Sequence, residues 1–218
     1  MTTRRDGLRV AGLALAVALV LPLPGAARAE VTEARPEEAA ALAKEGPLGD
    51  VWLGAKDAKV TVIEYASMTC GHCAAFHNEG FKHLKERYVD TGKVRFVLRE
   101  YPLDALATAA FMLARCEGNE KYYPVTGLLF ETQSEWAFAP KPVDALQATV
   151  AKAGIGKDRF EACLKDQRLF DGVTGVLRIA HDALKVDSTP TLFINGARNK
   201  GGMLPADLDK VLKPLLGE

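Results

Sequence analysis

The chain has 218 residues, of which 48% are hydrophobic and 26% are charged, and its 28 basic and 28 acidic side chains leave no formal net charge. This length fits one domain, or one domain with an insertion, and the composition is ordinary for a globular protein that buries a core. A neutral chain lacks the excess positive charge of a nucleic-acid-binding protein, so we expect no nucleic-acid partner.

Residues 1–29 have the pattern of a secretory signal peptide. Three arginines stand among the first nine residues, 10–23 is apolar, and the tripeptide at 27–29 has the small residues of a cleavage site. The apolar run is shorter than the ~20 residues that a membrane-spanning helix needs, although an uncleaved anchor is the alternative. Cleavage after Ala29 leaves 24 basic and 27 acidic residues and predicts a periplasmic or secreted protein.

A predicted interior strand at Val60 to Ala66 is apolar on both faces except at Glu64. Alternation places Glu64 on the face of Val60 and Val62, so we expect a carboxylate in the core near the end of this strand. A buried charge without a function is uncommon, which favours a role for Glu64 in exchanging protons with Cys73. The alternatives are a position at a surface edge and an ion pair with a lysine or arginine.

The tetrapeptide Cys70-Gly71-His72-Cys73 follows this strand and opens a predicted helix that runs to Tyr88. The N-terminus of a helix favours negative charge, so we expect Cys70 to have a low pKa and to be the reactive thiolate. His72 adds a hydrogen-bond donor or a positive charge. Cys73 lies one turn further along, where it is placed to attack a mixed disulfide formed at Cys70. The motif therefore predicts a redox couple that passes on a disulfide or takes one up.

The same two cysteines are also half of a potential zinc site. Such a site needs about four ligands, usually from a second closely spaced pair of cysteines or histidines. The sequence has no second Cys-X-X-Cys and no His-X-X-X-His. His77 and His83 lie on the predicted helix, and we expect both to be solvated. Redox chemistry is the favoured interpretation, and we expect no metal.

The middle of the chain has one further strand pattern, followed by a long stretch of helix patterns. Val94 to Leu98 predicts a second strand, parallel to the first because a helix separates them. Residues 104–165 carry helix patterns and no strand pattern, which predicts a helical insertion.

Cys116 and Cys163 lie near the two ends of this insertion, and in an oxidising compartment we expect them to form a structural disulfide. Closing so long a loop stabilises a fold by on the order of 4 kcal/mol. Two free, buried thiols are the alternative.

The last part of the chain begins with a long predicted helix from Leu169 to Val186. It leads to Thr189-Pro190 and an apolar strand that ends at Asn195-Gly196, a hairpin dipeptide. Proline cannot donate to a central ladder, which is explained if the Thr189–Pro190 bond is cis and approaches the active cysteines. A weak return strand at 198–201 and an amphipathic helix complete the prediction.

Together these motifs resemble the DsbA-like branch of the thioredoxin superfamily. The shared features are Glu64 six residues before Cys70, the Cys-Gly-His-Cys motif itself, Thr189-Pro190 before an apolar strand, and the helical insertion. The resemblance implies an α/β thioredoxin fold, in which a mixed sheet is flanked by helices and interrupted by an all-helical insertion. We place the domain and its additions as follows: a helical extension at 30–50, the thioredoxin-like domain at 51–103 and 166–218, and the insertion at 104–165.

The resemblance also implies roles for individual residues. Pro190 is the cis-proline packed against the active site, the backbone of Thr189 pairs with an extended substrate segment, and Glu64 is the buried proton-transfer acid. The dipeptide Gly71-His72 departs from the Pro-His of the best-known oxidases and matches that of protein disulfide isomerases. Threonine before the cis-proline also occurs in isomerase-type members.

We therefore predict a periplasmic thiol-disulfide oxidoreductase that introduces disulfide bonds into reduced or unfolded exported proteins. The resemblance implies no cofactor and suggests a quinone-linked membrane protein as the reoxidant. Two alternatives stay open. One is an oligomeric disulfide isomerase or reductase, and the other is a metal-binding or chaperone-like module without enzymatic activity.

Overall fold

The computed structural model describes Thr2 and residues 36–218. Apart from Thr2, the predicted signal peptide at 1–29 lies outside the described residues, as does the part of the predicted extension before residue 36. Over the described range, no helix has both the length and the apolar character that crossing a membrane requires.

A mixed four-stranded sheet in the order β2-β1-β3-β4 forms the centre of the domain. Its strands are β1 (Val60–Ala66), β2 (Val94–Glu100), β3 (Thr191–Ile194) and β4 (Ala197–Lys200). β1 and β2 run parallel, as predicted, and β3 is antiparallel to both β1 and β4. The β3–β4 hairpin turns at Asn195 and Gly196, whose φ angles of 48° and 85° suit an Asn-Gly pair. The predicted mixed sheet is confirmed.

Ten α-helical segments accompany the sheet within residues 36–218. They are α1 (Pro36–Ala43), α2 (Gly71–Phe76), α3 (Lys82–Leu84), α4 (Ala105–Cys116), α5 (Asn119–Glu131), α6 (Gln133–Trp136), α7 (Pro142–Ala151), α8 (Lys157–Leu164), α9 (Gln167–Asp182) and α10 (Pro205–Leu216). The π-helical stretches His77–Phe81 and Lys85–Val89 join α2 and α3 into one continuous helix over residues 71–89, which we name the site helix. Helix α9 stops before the predicted end at Val186, and Lys185 has a φ of 51°, which a right-handed helix excludes.

The sheet separates two apolar cores. Val60 and Val62 face the larger core, which β1 shares with the site helix, the insertion and α10. Ile63 and Tyr65 face the smaller core, which includes buried residues of α9 and α1. Because both faces are covered, β1 is apolar at most of its positions, and its buried Glu64 is enclosed by packed side chains.

Helices α4 to α8 form an all-helical block between the two halves of the sheet. Asp104 begins it as an N-cap, and its carboxylate accepts a hydrogen bond from the N–H of Ala107 at 2.7 Å. A disulfide joins Cys116 at the end of α4 to Cys163 on α8, with their Cα atoms 5.7 Å apart. The bond thus connects the first and last helices of the block.

Candidate active site

Cys70 begins the site helix directly after the loop that follows β1. Its backbone is extended, with φ −85° and ψ 116°, and its carbonyl accepts hydrogen bonds from the N–H groups of Cys73 and Ala74, both at 3.1 Å. Cys70 is therefore the N-cap residue, and the N–H groups of the first helical turn favour a negative charge at its side chain. The residue is 9% exposed, so the sulfur is largely shielded but not sealed from solvent.

These surroundings lower the pKa of Cys70 to about 5. The largest cause is the hydrogen bond from the Cys73 thiol, and the Thr189 side chain and the N–H groups of Cys73 and His72 add to it against the opposing effect of burial. As a thiol, Cys70 donates to the carbonyl oxygen of Thr189 at 3.4 Å. The buried hydroxyl of Thr189 has no hydrogen-bond partner among the described residues, so it is available to the thiolate.

Cys73 has the opposite surroundings. It is fully buried, and its pKa is raised by burial first, then by its hydrogen bond to Cys70 and by the negative charge of Glu64. The two cysteines are not bonded to each other in this structure. One turn of helix thus carries one thiol that ionises readily and one that stays protonated.

His72 lies between them with its side chain exposed to solvent. Its contribution to the low pKa of Cys70 comes from its backbone N–H. Within the described part of the chain, the imidazole makes no hydrogen bond, so the role of its side chain stays a prediction.

Glu64 is fully buried on the face of β1 that Val60 and Val62 share. Its Oε2 atom lies 2.8 Å from Nε2 of His77, and its Oε1 atom has no hydrogen-bond partner among the described residues. The predicted burial of Glu64 agrees with the structure, but its partner is neither a lysine nor an arginine.

The prediction that His77 is solvated was wrong. His77 is 5% exposed, and its ring stacks on Phe130 with the centroids 4.0 Å apart. It lies four positions after Cys73, on the same face of the helix, and that face packs against the sheet. His83 is half-buried and bonds to Asp209 at 2.7 Å, away from Glu64.

The Thr189–Pro190 peptide bond is cis and lies beside Cys70. Pro190 is buried, and its carbonyl accepts a hydrogen bond from the N–H of Gly201 at 2.8 Å. A Cβ atom added at Gly202 would lie 3.5 Å from both Pro190 and the carbonyl oxygen of His72. The segment after β4 therefore closes one side of the site, and the structure brings together residues that are more than 100 positions apart in the chain.

Comparisons with known proteins agree with this geometry. A family model described as thioredoxin matches residues 47–214. A Rickettsia bellii protein named "Putative protein-disulfide oxidoreductase" is 30% identical over 168 residues, which are 75% of this chain and 65% of that protein. The chain belongs to the DsbA-like branch of the thioredoxin superfamily. It spans less than two thirds of the length of that Rickettsia relative.

Solved structures of other proteins share this fold. The crystal structure of Wolbachia pipientis alpha-DsbA1 matches with a TM-score of 0.72 and 30% identity, covering 77% of this chain and 91% of that one. A protein-disulfide isomerase from Novosphingobium aromaticivorans, 21% identical, shares the fold with a TM-score of 0.68 over 77% of this chain and 97% of its own.

Gln133 is a site residue of this DsbA-like protein that sequence reasoning missed. It lies on α6 of the insertion and is 5% exposed. Its amide nitrogen donates to the carbonyl oxygens of Met68 at 2.9 Å and Cys70 at 3.0 Å. A single glutamine in a short helix carries no sequence signal for this role, because the contact depends on how the insertion packs on the domain.

Over the residues that the structure describes, the group of potential metal ligands does not include the redox motif. Among the described residues, the potential ligands cluster in one group of three, Cys116, Glu117 and Cys163. The two sulfurs of this group are joined in the disulfide, which leaves one carboxylate as a donor. The group includes neither Cys70 nor Cys73, so it gives the zinc interpretation of the redox motif no support.

Proposed function

We propose that this DsbA-like protein is a periplasmic thiol-disulfide oxidoreductase that donates a Cys70–Cys73 disulfide to exported proteins. The observation that carries the proposal is the contrast between the two thiols. The pKa of Cys70 is lowered to about 5, and that of Cys73 is raised. A stabilised thiolate favours the reduced form of the couple and makes its disulfide a good oxidant.

The reaction proceeds by two exchanges. A substrate thiolate attacks Cys70 Sγ, the Cys70–Cys73 bond breaks, and Cys73 leaves with the electron pair and takes up a proton. A second substrate thiolate then attacks the substrate sulfur of the mixed disulfide, and Cys70 leaves as the stabilised thiolate. The substrate loses two electrons and gains a disulfide, and the protein couple gains the two electrons.

The surrounding residues support this sequence of steps. Glu64 lies buried near Cys73 and serves as the proton-transfer group when that thiol ionises or is formed. The backbone of Thr189, whose carbonyl already contacts Cys70, pairs with an extended substrate segment, and Pro190 holds that backbone at the sulfur. His72 shapes the exposed side of the couple.

The location and the partners follow from the sequence and the family. The pattern at residues 1–29 is that of a secretory signal peptide, and export places the protein among reduced or unfolded exported chains. The reduced couple then needs an electron acceptor, for which the family suggests a quinone-linked membrane protein. The protein needs no cofactor for either exchange.

An oligomeric disulfide isomerase is the second candidate, because Gly71 and Thr189 are the residues that isomerase-type members have at these positions. Such an isomerase would need contacts between protomers, for which the helical extension at 30–50 is a candidate, and helix α1 belongs to this extension. Leu42 of α1 is buried, and its carbonyl accepts a hydrogen bond from Arg99 of the same chain at 3.0 Å. This contact holds α1 on its own domain and favours a monomeric oxidase.

The direct test is oxidation of a reduced peptide that contains two cysteines. We expect the protein of residues 30–218, oxidised at Cys70 and Cys73, to convert this peptide to its disulfide. Each molecule of protein should oxidise one molecule of peptide. The Cys70→Ser variant should have no activity, because the attacked sulfur is gone. The double variant Cys116→Ala/Cys163→Ala is the matched control and should stay active when it is folded.

Two outcomes would count against the proposal. Peptide oxidation by Cys70→Ser at the wild-type rate would show that this sulfur is not the one attacked. A protein that runs as an oligomer in size-exclusion chromatography, and that reshuffles wrong disulfides faster than it forms new ones, would favour the isomerase.

A further inference from the structure

The buried pair of Glu64 and His77 forms a group that the redox chemistry described above uses only in part. Glu64 is enclosed on all sides, with an exposure of 0%, and the single hydrogen bond to its carboxylate within the described chain joins Oε2 to His77 Nε2. Oε1 stays without a partner there. A buried carboxylate with one fixed oxygen and one free oxygen has a defined direction in which it can accept a proton.

His77 is itself held in place by packing. Its ring stacks on Phe130 from α5 and lies against Phe81 and Phe76 at centroid distances of 4.8 and 5.7 Å. It follows Cys73 by four positions, so the histidine and the thiol occupy adjacent turns on one face of the site helix. The helix thereby sets Cys73 and His77 on the same side as the carboxylate.

His77 is also one of the residues that line a cleft of about 360 Å³ between the site helix and α5. Tyr123 and Glu131 face the cleft from α5, and Lys82 and Lys85 face it from the site helix. Lys82 pairs with Glu131 at 3.1 Å, and Lys85 pairs with Asp90 at 2.7 Å. Within the described chain, the hydrogen-bond partner of His77 is therefore Glu64 and not one of the charged groups of the cleft.

We propose that His77 is a positioning residue of the redox centre, which holds Glu64 through Oε2 so that Oε1 alone receives the proton of Cys73. The inference rests on the proposed function of the Cys70–Cys73 couple. It adds a residue that fixes the orientation of the Glu64 carboxylate through the hydrogen bond to Oε2.

The step concerned is the attack of Cys73 on a mixed disulfide at Cys70. Cys73 gives its proton to Glu64 Oε1, the Cys70–Cys73 bond forms, and the bond to the partner sulfur breaks with its electron pair leaving on the partner thiolate. The couple is oxidised and the partner is reduced. His77 Nε2 keeps Oε2 occupied during the transfer, and the proton on Glu64 later returns to solvent.

The test separates the two exchange steps with oxidised glutathione as the partner. Reduced protein is mixed with oxidised glutathione at about pH 7, quenched in acid at timed intervals, and resolved by chromatography into free, mixed-disulfide and oxidised forms. Formation of the mixed disulfide reports on Cys70, and its decay reports on Cys73. Wild type is compared with His77→Gln, which keeps a donor to Glu64, and with His77→Leu, which loses the donor.

We expect the first step to differ by less than about twofold among all variants, because Cys70 attacks without Glu64. The second step should slow by about tenfold in His77→Leu and stay within about threefold of wild type in His77→Gln. Recovery of the rate in His77→Gln distinguishes a donor to Glu64 from packing of the ring, because glutamine keeps the donor and loses the ring. The double variant His77→Leu/Glu64→Gln should be no slower than Glu64→Gln, because His77 acts through the carboxylate.

His83→Gln is the matched control, since His83 lies on the same helix and also bonds to a carboxylate, that of Asp209. It should show wild-type values for both steps. Wild-type decay of the mixed disulfide in His77→Leu would overturn the inference. Decay slowed by about tenfold or more in His77→Gln would also overturn it, because glutamine keeps the donor, and this outcome serves if His77→Leu does not fold. If wild type forms no mixed disulfide, the proposed function itself fails.

Discussion

Cys70 and Cys73 are three positions apart, yet their surroundings shift the pKa values of their thiols in opposite directions. Cys70 receives hydrogen bonds at a helix N-terminus, while Cys73 donates one and lies beneath packed side chains. The sequence was sufficient to predict the first effect, because the motif places a cysteine at a helix start. The hydrogen bond between the two thiols needed the folded geometry.

The burial of His77 could not be predicted by considering one residue at a time. Its polarity suggested exposure, although it follows Cys73 by four positions and so lies on the same face of the helix. Glu64, predicted to be buried from strand alternation, is the group that explains a buried histidine, and the two are joined at 2.8 Å. Neither position alone contains this information, because each residue is tolerated in the core only through the other.

The low pKa of Cys70 predicts how the stability of the reduced protein depends on pH. The pKa of Cys70 falls from an ordinary value of 9.0 to about 5 on folding. The stabilisation of the folded protein by this thiolate is therefore fully present above about pH 9 and is lost as the pH falls through about 5. We expect the urea midpoint of reduced wild type, relative to reduced Cys70→Ser, to rise with pH between 5 and 9. A difference that stays constant from pH 4 to pH 8 would contradict the low pKa.

At the scale of elements, the site is a meeting of three separate parts of the chain. The loop after β1 supplies Cys70, the segment before β3 supplies Thr189, and helix α6 supplies Gln133. The first two have local signatures and could be predicted. β4 was predicted only as a weak return strand at 198–201, because an edge strand has no strong apolar pattern. The contact of α6 could not be predicted, because a helix–loop contact is set by tertiary packing.

Gln133 gives the element-scale prediction. Gln133→Leu removes two hydrogen bonds to backbone carbonyls of the active-site loop, so we expect it to lower the free energy of unfolding by about 1–3 kcal/mol. Urea denaturation of the oxidised protein measures the change. Gln167→Leu is the control, since Gln167 is exposed on α9 and bonds within its own helix to Asp171; it should cost less than about 0.5 kcal/mol. Equal effects for the two variants would show that Gln133 does not hold the loop.

At the scale of the whole molecule, the mixed sheet and the helical insertion were predictable because strands and helices differ in apolar period. The pairing of Cys116 with Cys163 was left open in the sequence, since distance decides it, and the structure contains the bond. The whole fold buries Cys73 and Glu64 completely, in the core that the sheet shares with the insertion. That enclosure keeps one thiol protonated while the helix start ionises the other.

The central claim is that this contrast makes the couple an oxidant, and the equilibrium of the Cys70–Cys73 pair with reduced and oxidised glutathione tests it most directly. Alkylation of free thiols and mass measurement across a series of glutathione ratios at pH 7 give the reduction potential. Our account predicts a value towards the strongly oxidising end of the family, about −120 mV. A value near about −270 mV, that of a reductant, would contradict it.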